Sequence, residues 1–427
     1  MQNKSIFLAG LLLFSFLLNL SGQKMVNSPY ARFNIGLLEP AGSFRSLGMG
    51  GTSVSFRDNT SIYFSNPASY TSIDTNSFVF DFGIDYSINR LMNGETRFTS
   101  DDMNFDHLLM GFPLGKNIGV AAGLVPFSNG YYKLAETIRQ GDPGYDPVTG
   151  EYSSNHLGEG SFINFFAGAG IKFLRHFSAG ANMTILFGQI KRTNRITFSD
   201  YESVFHYNRS ENLRIGGVNF DYGLQAALPV NKNYFINAGI SLTSGKRYNS
   251  DYEDFSYLFS AYNTADTLSY FTGGDQKAYI PGTLRAGLSL GRKDKMTASF
   301  DYITTKWSKA EILGAEGYLA DTRSLHFGIE FIPEKYTIYD YFRRIEYRAG
   351  AHIENNYVII NNEQIKGYGF TAGLGIPVRR SLSKANIFFD YTVRSGSFDN
   401  NLHRENYYTM GISLNLHDYW FLKRRYD

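Results

Sequence analysis

The sequence predicts an all-β fold, a transmembrane antiparallel β-barrel of about fourteen strands with an N-terminal plug in its lumen. Three observations carry the prediction: segments that alternate strictly between apolar and polar residues, connections that alternate between short and long, and an exported, helix-poor composition. The 427 residues include 36 Phe, 31 Tyr and 43 Gly but only 11 Pro, and 41 Lys plus Arg nearly cancel 39 Asp plus Glu. Such a balance points to neither nucleic acid nor an acidic surface as a partner. The chain has no Cys. Disulfides, thiolate metal sites and a lipoprotein anchor are therefore excluded, and no metal or other cofactor is expected.

Residues 1–22 read as a secretory signal peptide. Lys4 precedes the apolar run Ile6 to Leu18, and Leu20-Ser21-Gly22 offers small residues for cleavage. The run is too short to span a membrane, and nothing after it approaches the roughly 20 apolar residues of a spanning helix. The mature chain is thus expected to leave the cytoplasm.

Periodicity then selects the barrel. From Ser77 to Ile88 one face reads Phe78, Phe80, Phe82, Ile84, Tyr86, Ile88, and the other reads Ser77, Val79, Asp81, Gly83, Asp85, Ser87. The same period of two recurs around Met296–Ile303, Ile345–Ile353 and Tyr407–Leu416. Strands are predicted near 76–88, 104–114, 117–127, 160–173, 176–198, 211–229, 233–244, 279–291, 295–307, 322–333, 343–354, 366–376, 385–394 and 405–416. Tight turns such as Leu114-Gly115-Lys116-Asn117 and Leu174-Arg175-His176 alternate with long loops, notably 128–159 and 245–278. Short periplasmic turns opposite long extracellular loops are the asymmetry of an outer-membrane barrel. Tyr86, Tyr302, Tyr391, Tyr408 and Trp420 suit the aromatic girdles. The inward face is polar, with Asp81, Asp85, Asp221, Asp301, Glu330, Glu346, Arg348, His352, Asp390 and Arg394. Most of these charges are expected to pair across the wall and hold the plug.

About fifty residues lie between the leader and the first strand, too few for a domain with its own core. They nonetheless hold Phe33, Ile35, Leu37, Leu38, Phe44, Leu47, Met49, Val54, Phe56, Ile62, Tyr63 and Phe64, which need burial. The lumen is the nearest place for them. Residues 23–75 are therefore expected to form a hatch, with the barrel at 76–417 and a C-terminal periplasmic tail at 418–427. Gly48, Gly50 and Gly51 permit sharp bends, and Pro67 biases Asn66 toward an extended shape.

The stretch "SLGMGGTSVSFRDNTSIYFSNPAS", closing on Asn66-Pro67-Ala68, resembles the hatch of the FadL/TodX long-chain fatty acid transporter family of outer-membrane proteins. "IPGTLRAGLSLGRKDKMTASFDYITTKWSKAE" is similar to that family's wall, with Pro281, Gly287, Asp301 and Trp307 in its order. "NIGVAAGLVPFSNGYY" falls where the family's third strand is interrupted. The Asn- and Tyr-rich style resembles a Bacteroidetes-type member. The resemblance implies passive uptake of hydrophobic, fatty acid-like molecules, with a lateral gate at Pro126, Phe127 and Gly130. Arg285, Arg348 and Arg394 are candidates to receive a carboxylate headgroup. Tyr252, Phe255, Tyr257, Leu258 and Phe259 are candidates for a landing groove in loop 245–278, because loop 128–159 is very polar.

A second function fits the same fold: a non-transporting barrel that scaffolds a secretion or outer-membrane assembly complex, docking a protein partner through the aromatic-basic tail. An enzyme is not expected. Gly287-Leu288-Ser289-Leu290-Gly291 matches G-x-S-x-G but sits within a strand with no helix following. Gly48-Met49-Gly50-Gly51 lacks the spacing of a nucleotide loop, and the 8 His show no metal-binding pattern.

Overall fold

The computed structural model describes residues 28–93, 96–199, 204–260, 265–274, 276–313, 319–360, 362–378, 381–396 and 404–419. The expected leader and residues 420–427 of the expected tail, Trp420 included, lie outside the described residues.

The wall comprises β1 (Ser77–Asn93), β2 (Thr96–Pro113), β3 (Ile118–Asn129, resuming at Tyr132–Ile138), β4 (Tyr152–Phe173), β5 (Phe177–Phe198) and β6 (His206–Pro229). It continues with β7 (Tyr234–Thr243, resuming at Lys246–Phe259) and β8 (Ala265–Thr272, Gln276–Ile280 and Thr283–Arg292). Six more strands complete it: β9 (Met296–Thr305), β10 (Thr322–Phe331), β11 (Glu346–Ile360), β12 (Glu363–Pro377), β13 (Lys384–Ser395) and β14 (Arg404–Tyr419). Neighbours in sequence pair antiparallel, and β14 closes on β1 from Arg404↔Met92 to Tyr419↔Ser77, giving a closed 14-stranded barrel. Closure matters because hydrocarbon offers no partner for a free backbone N–H or C=O. The protein is a bacterial outer-membrane β-barrel.

The predicted alternation holds. On β1, Ser77, Val79 and Asp81 are buried inward while Tyr86 is exposed. On β9, Ser299 and Asp301 point in while Met296 and Phe300 are exposed. The expected long loops differ from the prediction, because strands occupy much of 128–159 and 245–278. In these extensions both faces mix polar and apolar residues, so the period fades although the ladder continues. The 334–342 connection ends in a 3-10 turn, Phe342–Arg344, and is tied down at both ends. Lys335 reaches Asp294 at 2.6 Å, and the Tyr341 hydroxyl donates to the Pro377 carbonyl at 2.7 Å. β14 runs to Tyr419, so Asp418 and Tyr419 extend the wall rather than begin a tail.

Residues 28–76 form short pieces only: 3-10 turns at Pro29–Arg32 and Pro67–Ser72, a two-residue strand Leu37–Leu38 and one helical turn, Phe44–Leu47. Their apolar side chains, Ile35, Phe44, Met49, Val54 and Ile62 among them, are buried. Phe44 packs 4.5 Å from the Phe388 ring and 5.0 Å from His107, and Phe64 stacks 5.4 Å from Phe166. Their partners are inward-facing wall residues.

Candidate functional site

The N-terminal segment meets the wall through three kinds of contact. The first is backbone on backbone. Gly50 has φ +69°, and a Cβ added to Gly350 on β11 would lie 2.2 Å from its nitrogen. Only glycine on both sides allows that approach. Asn66, wholly buried, caps the 3-10 turn that Pro67 and Ala68 begin; its Oδ1 accepts from the Ala68 N–H at 3.2 Å. Its Nδ2 donates to Val54 at 2.8 Å and to the Leu224 carbonyl of β6 at 3.2 Å. The opposing wall residue is Gly223, where a Cβ would sit 2.0 Å from the Asn66 oxygen. Gly48 lies against Gly373, and Gly51, at φ +86°, lies beside His326.

The second contact is charge. Arg45 donates to Glu330 at 2.8 and 3.1 Å and bridges to Asp58 at 2.8 Å. Arg348 donates to Glu330 at 2.8 Å, to Asn386 at 2.9 Å and to Glu346, which Lys384 also reaches at 2.6 Å. Burial pushes the Asp58 carboxyl up, but Arg45 and Lys384 overcome it and hold the group well below the usual carboxylate range. Asp301 accepts the Ser53 and Val54 N–H groups at 2.7 and 2.9 Å, so this motif residue binds the segment's backbone. Gly287 faces it, with a Cβ position 2.3 Å from Asp301 Oδ1. Ser289 also meets the segment, donating to the Ser55 carbonyl at 3.4 Å.

The third contact fills a seam. The β2–β3 ladder runs from Pro113↔Gly119 only to Leu108↔Leu124. Pro126 follows immediately, and a bulge at Phe127 disturbs the pairing with β4 on the other side. Leu37↔Asn129 and Leu38↔Ser128 pair onto this open edge, and the Glu39 N–H donates to the Phe127 carbonyl at 3.0 Å. Gly130 sits at the interruption of β3, its N–H donating to Gly160 at 3.0 Å. Burial raises the Glu39 carboxyl to about 7; Arg394 opposes the shift, and Asp106 and Asp102 reinforce it. Glu39 thus lies among the carboxylates of β1 and β2.

A cavity of about 300 Å³ lies behind that seam. Leu37, Leu38, Val125, Pro126 and Phe127 line one side, and Tyr248, Ile280, Pro281, Trp307 and Tyr357 line the other. The Trp307 and Tyr357 rings are 4.8 Å apart, and the Tyr357 hydroxyl donates to the Phe33 and Gly36 carbonyls. Arg285 also lines the cavity and donates to Thr243 Oγ1 at 2.9 Å; among the described residues it makes no ion pair.

The three arginines singled out in the sequence therefore differ. Arg348 is fully engaged in the charge network. Arg394 borders the cavity but is paired with Glu354 at 3.2 Å and lies over Tyr407. Arg285 has no direct ion pair among the described residues; its nearest carboxylate, Asp221, is reached through Thr243, whose hydroxyl donates to Asp221 at 2.6 Å. The aromatic residues assigned to a loop groove lie instead on the upper part of β7, paired with both β6 and β8. Phe255, Tyr257 and Phe259 stack along one face, and Tyr252 is buried on the other, which Leu258 shares. Sequence reasoning missed Ile280 and Tyr357 as cavity residues and Leu37–Glu39 as an edge strand, since their roles arise only from partners distant in sequence.

The fold has solved counterparts. The Pseudomonas putida toluene transporter TodX matches with a TM-score of 0.60 at 12% identity, covering 90% of this chain and 100% of that one. The CymD monoaromatic hydrocarbon channel matches with a TM-score of 0.58 at 14% identity, over 91% and 99%. A Pseudomonas aeruginosa FadL homologue matches with a TM-score of 0.55 at 12% identity, over 91% and 99%. At these identities the likeness is one of fold. No curated protein matches the chain. The family profile BamG matches residues 1–427, the whole length, and the chain accordingly belongs to the BamG family.

Proposed function

We propose that the protein is an outer-membrane channel for passive uptake of hydrophobic molecules bearing an anionic head, such as long-chain fatty acids. Residues 23–75 act as its hatch and the Pro126–Gly130 seam as its lateral gate. The observation that carries this reading is the cavity itself: it joins apolar side chains to Arg285, an arginine with no direct ion pair whose nearest carboxylate, Asp221, is already held by Thr184 and Thr243, and it backs onto the interrupted stretch of wall that residues 37–39 cover. A fatty acid would lay its tail against Leu37, Phe127 and Trp307 and its carboxylate on Arg285. Movement of Leu37–Glu39 off the β3 edge would open a path sideways into the bilayer. The solved structures of the same fold, a monoaromatic hydrocarbon channel and a toluene transporter, support transport as the class of activity.

The scaffold reading keeps two observations in its favour: the family profile that matches the whole chain is BamG, not that of the channels, and the short-turn side carries exposed apolar residues. Tyr336, Ile338, Tyr339 and Phe342 are 72–99% exposed on the short-turn side, in a connection braced by Asp294 and Pro377. Ordered, exposed aromatics suit a protein partner. Of the expected docking tail at 418–427, residues 420–427, beyond the last wall strand, belong to the same reading. Native mass spectrometry of the protein extracted from its own membrane separates the two. A monomer carrying fatty acid-sized adducts, lost in Arg285→Gln, supports transport; a stoichiometric protein complex with an empty lumen overturns it in favour of scaffolding.

A further inference from the structure

The outer wall carries a hollow that transport through the lumen does not use. It measures about 990 Å³ and spans β5 to β8. Strand register explains it. Phe187, Gly216, Asn249 and Lys277 form one row of directly opposed residues across four strands. One step outward, Gln189, Arg214 and Asp251 form a second row. Gly216 leaves the centre of the first row without a side chain. A Cβ there would find only the Leu186 carbonyl, at 3.8 Å, so the floor is open backbone.

The hollow lies at a boundary. On the turn side of it, Phe187, Val218, Phe220 and Leu242 are exposed and apolar, as residues facing hydrocarbon must be. On the long-hairpin side, the outer end of such a barrel, the exposed residues become Gln189, Arg214, Asn249 and Lys277. Arg214 is largely exposed, held by Gln189 at 3.3 Å and bridged to Asp251 at 3.7 Å. Lys277 makes no ion pair among the described residues. The hollow thus joins one aromatic face, two amides, two cations and the carboxylate of Asp251 at the level where lipid tails give way to headgroups, a net positive site.

We propose that this hollow binds the phosphorylated sugar headgroup of an outer-leaflet glycolipid. The sugar ring lies on Phe187, its hydroxyls meet Asn249 and Gln189, and a phosphate sits between Arg214 and Lys277. The acyl chains run down the wall along Val218 and Phe220. A bare phosphate would leave most of the volume empty, and an apolar ligand would leave both cations unused.

The test is a native mass spectrometry titration of the full chain in detergent with three probes: hexa-acyl diphosphoryl lipid A, its deacylated diphosphoryl disaccharide, and dioleoyl phosphatidylglycerol. One lipid A is expected to bind, with affinity about tenfold or more weaker in Arg214→Ser/Lys277→Ser and in Gly216→Phe. Gly216→Phe fills the hollow without changing charge, and the double variant alters only exposed side chains, so it decides the matter should Gly216→Phe fail to fold. Equal lipid A binding in the double variant overturns the proposal, as does equally tight binding of phosphatidylglycerol. Tighter binding of the deacylated disaccharide overturns the lipid as the source and leaves a soluble sugar phosphate in its place.

Discussion

Arg348 and Arg285 both point inward from neighbouring parts of the same wall, yet their surroundings are opposite. Arg348 is wrapped by Glu330, Glu346 and Asn386, and Arg45 of the N-terminal segment shares Glu330 with it. Arg285 has a threonine hydroxyl, with Asp221 behind it, and an open cavity. A buried charge without a partner costs several kcal/mol unless something else compensates it. The first arginine is accordingly a fastener, and the second, with no carboxylate in direct contact, is the one we propose a ligand's charge would complete. The comparison separates what holds the segment from what the lumen offers to cargo.

The largest effect is expected on the fastened side. Arg45→Ala strips Glu330 and Asp58 of a shared cation and should destabilise the seated segment by about 3–5 kcal/mol, because it leaves buried carboxylates behind. Limited proteolysis within residues 28–75, with the barrel intact by heat-modifiable migration, would register it; unchanged protection would mean that the charge network is incidental. Arg285→Gln should do the reverse. Stability should change little, since Asp221 keeps its bonds to Thr184 at 2.7 Å and Thr243 at 2.6 Å, while affinity for a fatty acid falls about tenfold to a hundredfold, the value of a charged hydrogen bond. An Arg285→Gln protein that binds fatty acid as before would remove the distinction between the two arginines.

The two carboxylates of the segment sharpen the comparison through pH. Asp58, held low by Arg45 and Lys384, contributes stability that is present above the ordinary carboxylate range and lost only as the pH falls below it. Glu39, raised to about 7 by burial, contributes in the opposite sense: full below about 4.5, and lost as the pH rises through about 7. Acidification from 8 to 5 should therefore tighten the Leu37–Glu39 edge strand without loosening the Arg45 region. Amide exchange at Glu39 against Val54 over that range checks it, and Glu39→Gln should flatten the profile. A parallel change at both amides would show that the seam and the fastener open together.

How much of this could be read from the sequence follows from what each feature depends on. The alternation in Ser77–Ile88 is local, and so the strand and its faces were legible. Asp301 and Asn66 stood out by motif, and their bonds to the segment and to the wall give those motifs a physical reason. The strand at 246–259 was not legible, because Tyr252 to Phe259 lie beyond the hydrocarbon and carry polar residues on both faces. The edge pairing of Leu37–Leu38 joins residues about ninety positions apart, and no local pattern encodes it. The difference between Arg285 and Arg348 was equally hidden: both are inward arginines on β-strands, and only the partners tell them apart.

The smallest expected effect concerns Asn66, which links the two regions by bonding Val54 on one side and the Leu224 carbonyl on the other. Asn66→Ala removes a helix-capping acceptor and should cost about 1 kcal/mol. That is too little to unseat residues 28–75, since Asp301 and the Arg45 network remain. Replacing the whole Asn66-Pro67-Ala68 triplet with Gly-Ser-Gly also frees the backbone at the corner before β1, and small-solute leakage in liposome swelling should rise while the barrel still forms. If the single change leaks as much as the triple one, the segment is held chiefly at this corner, and Arg348 and its partners serve the wall alone.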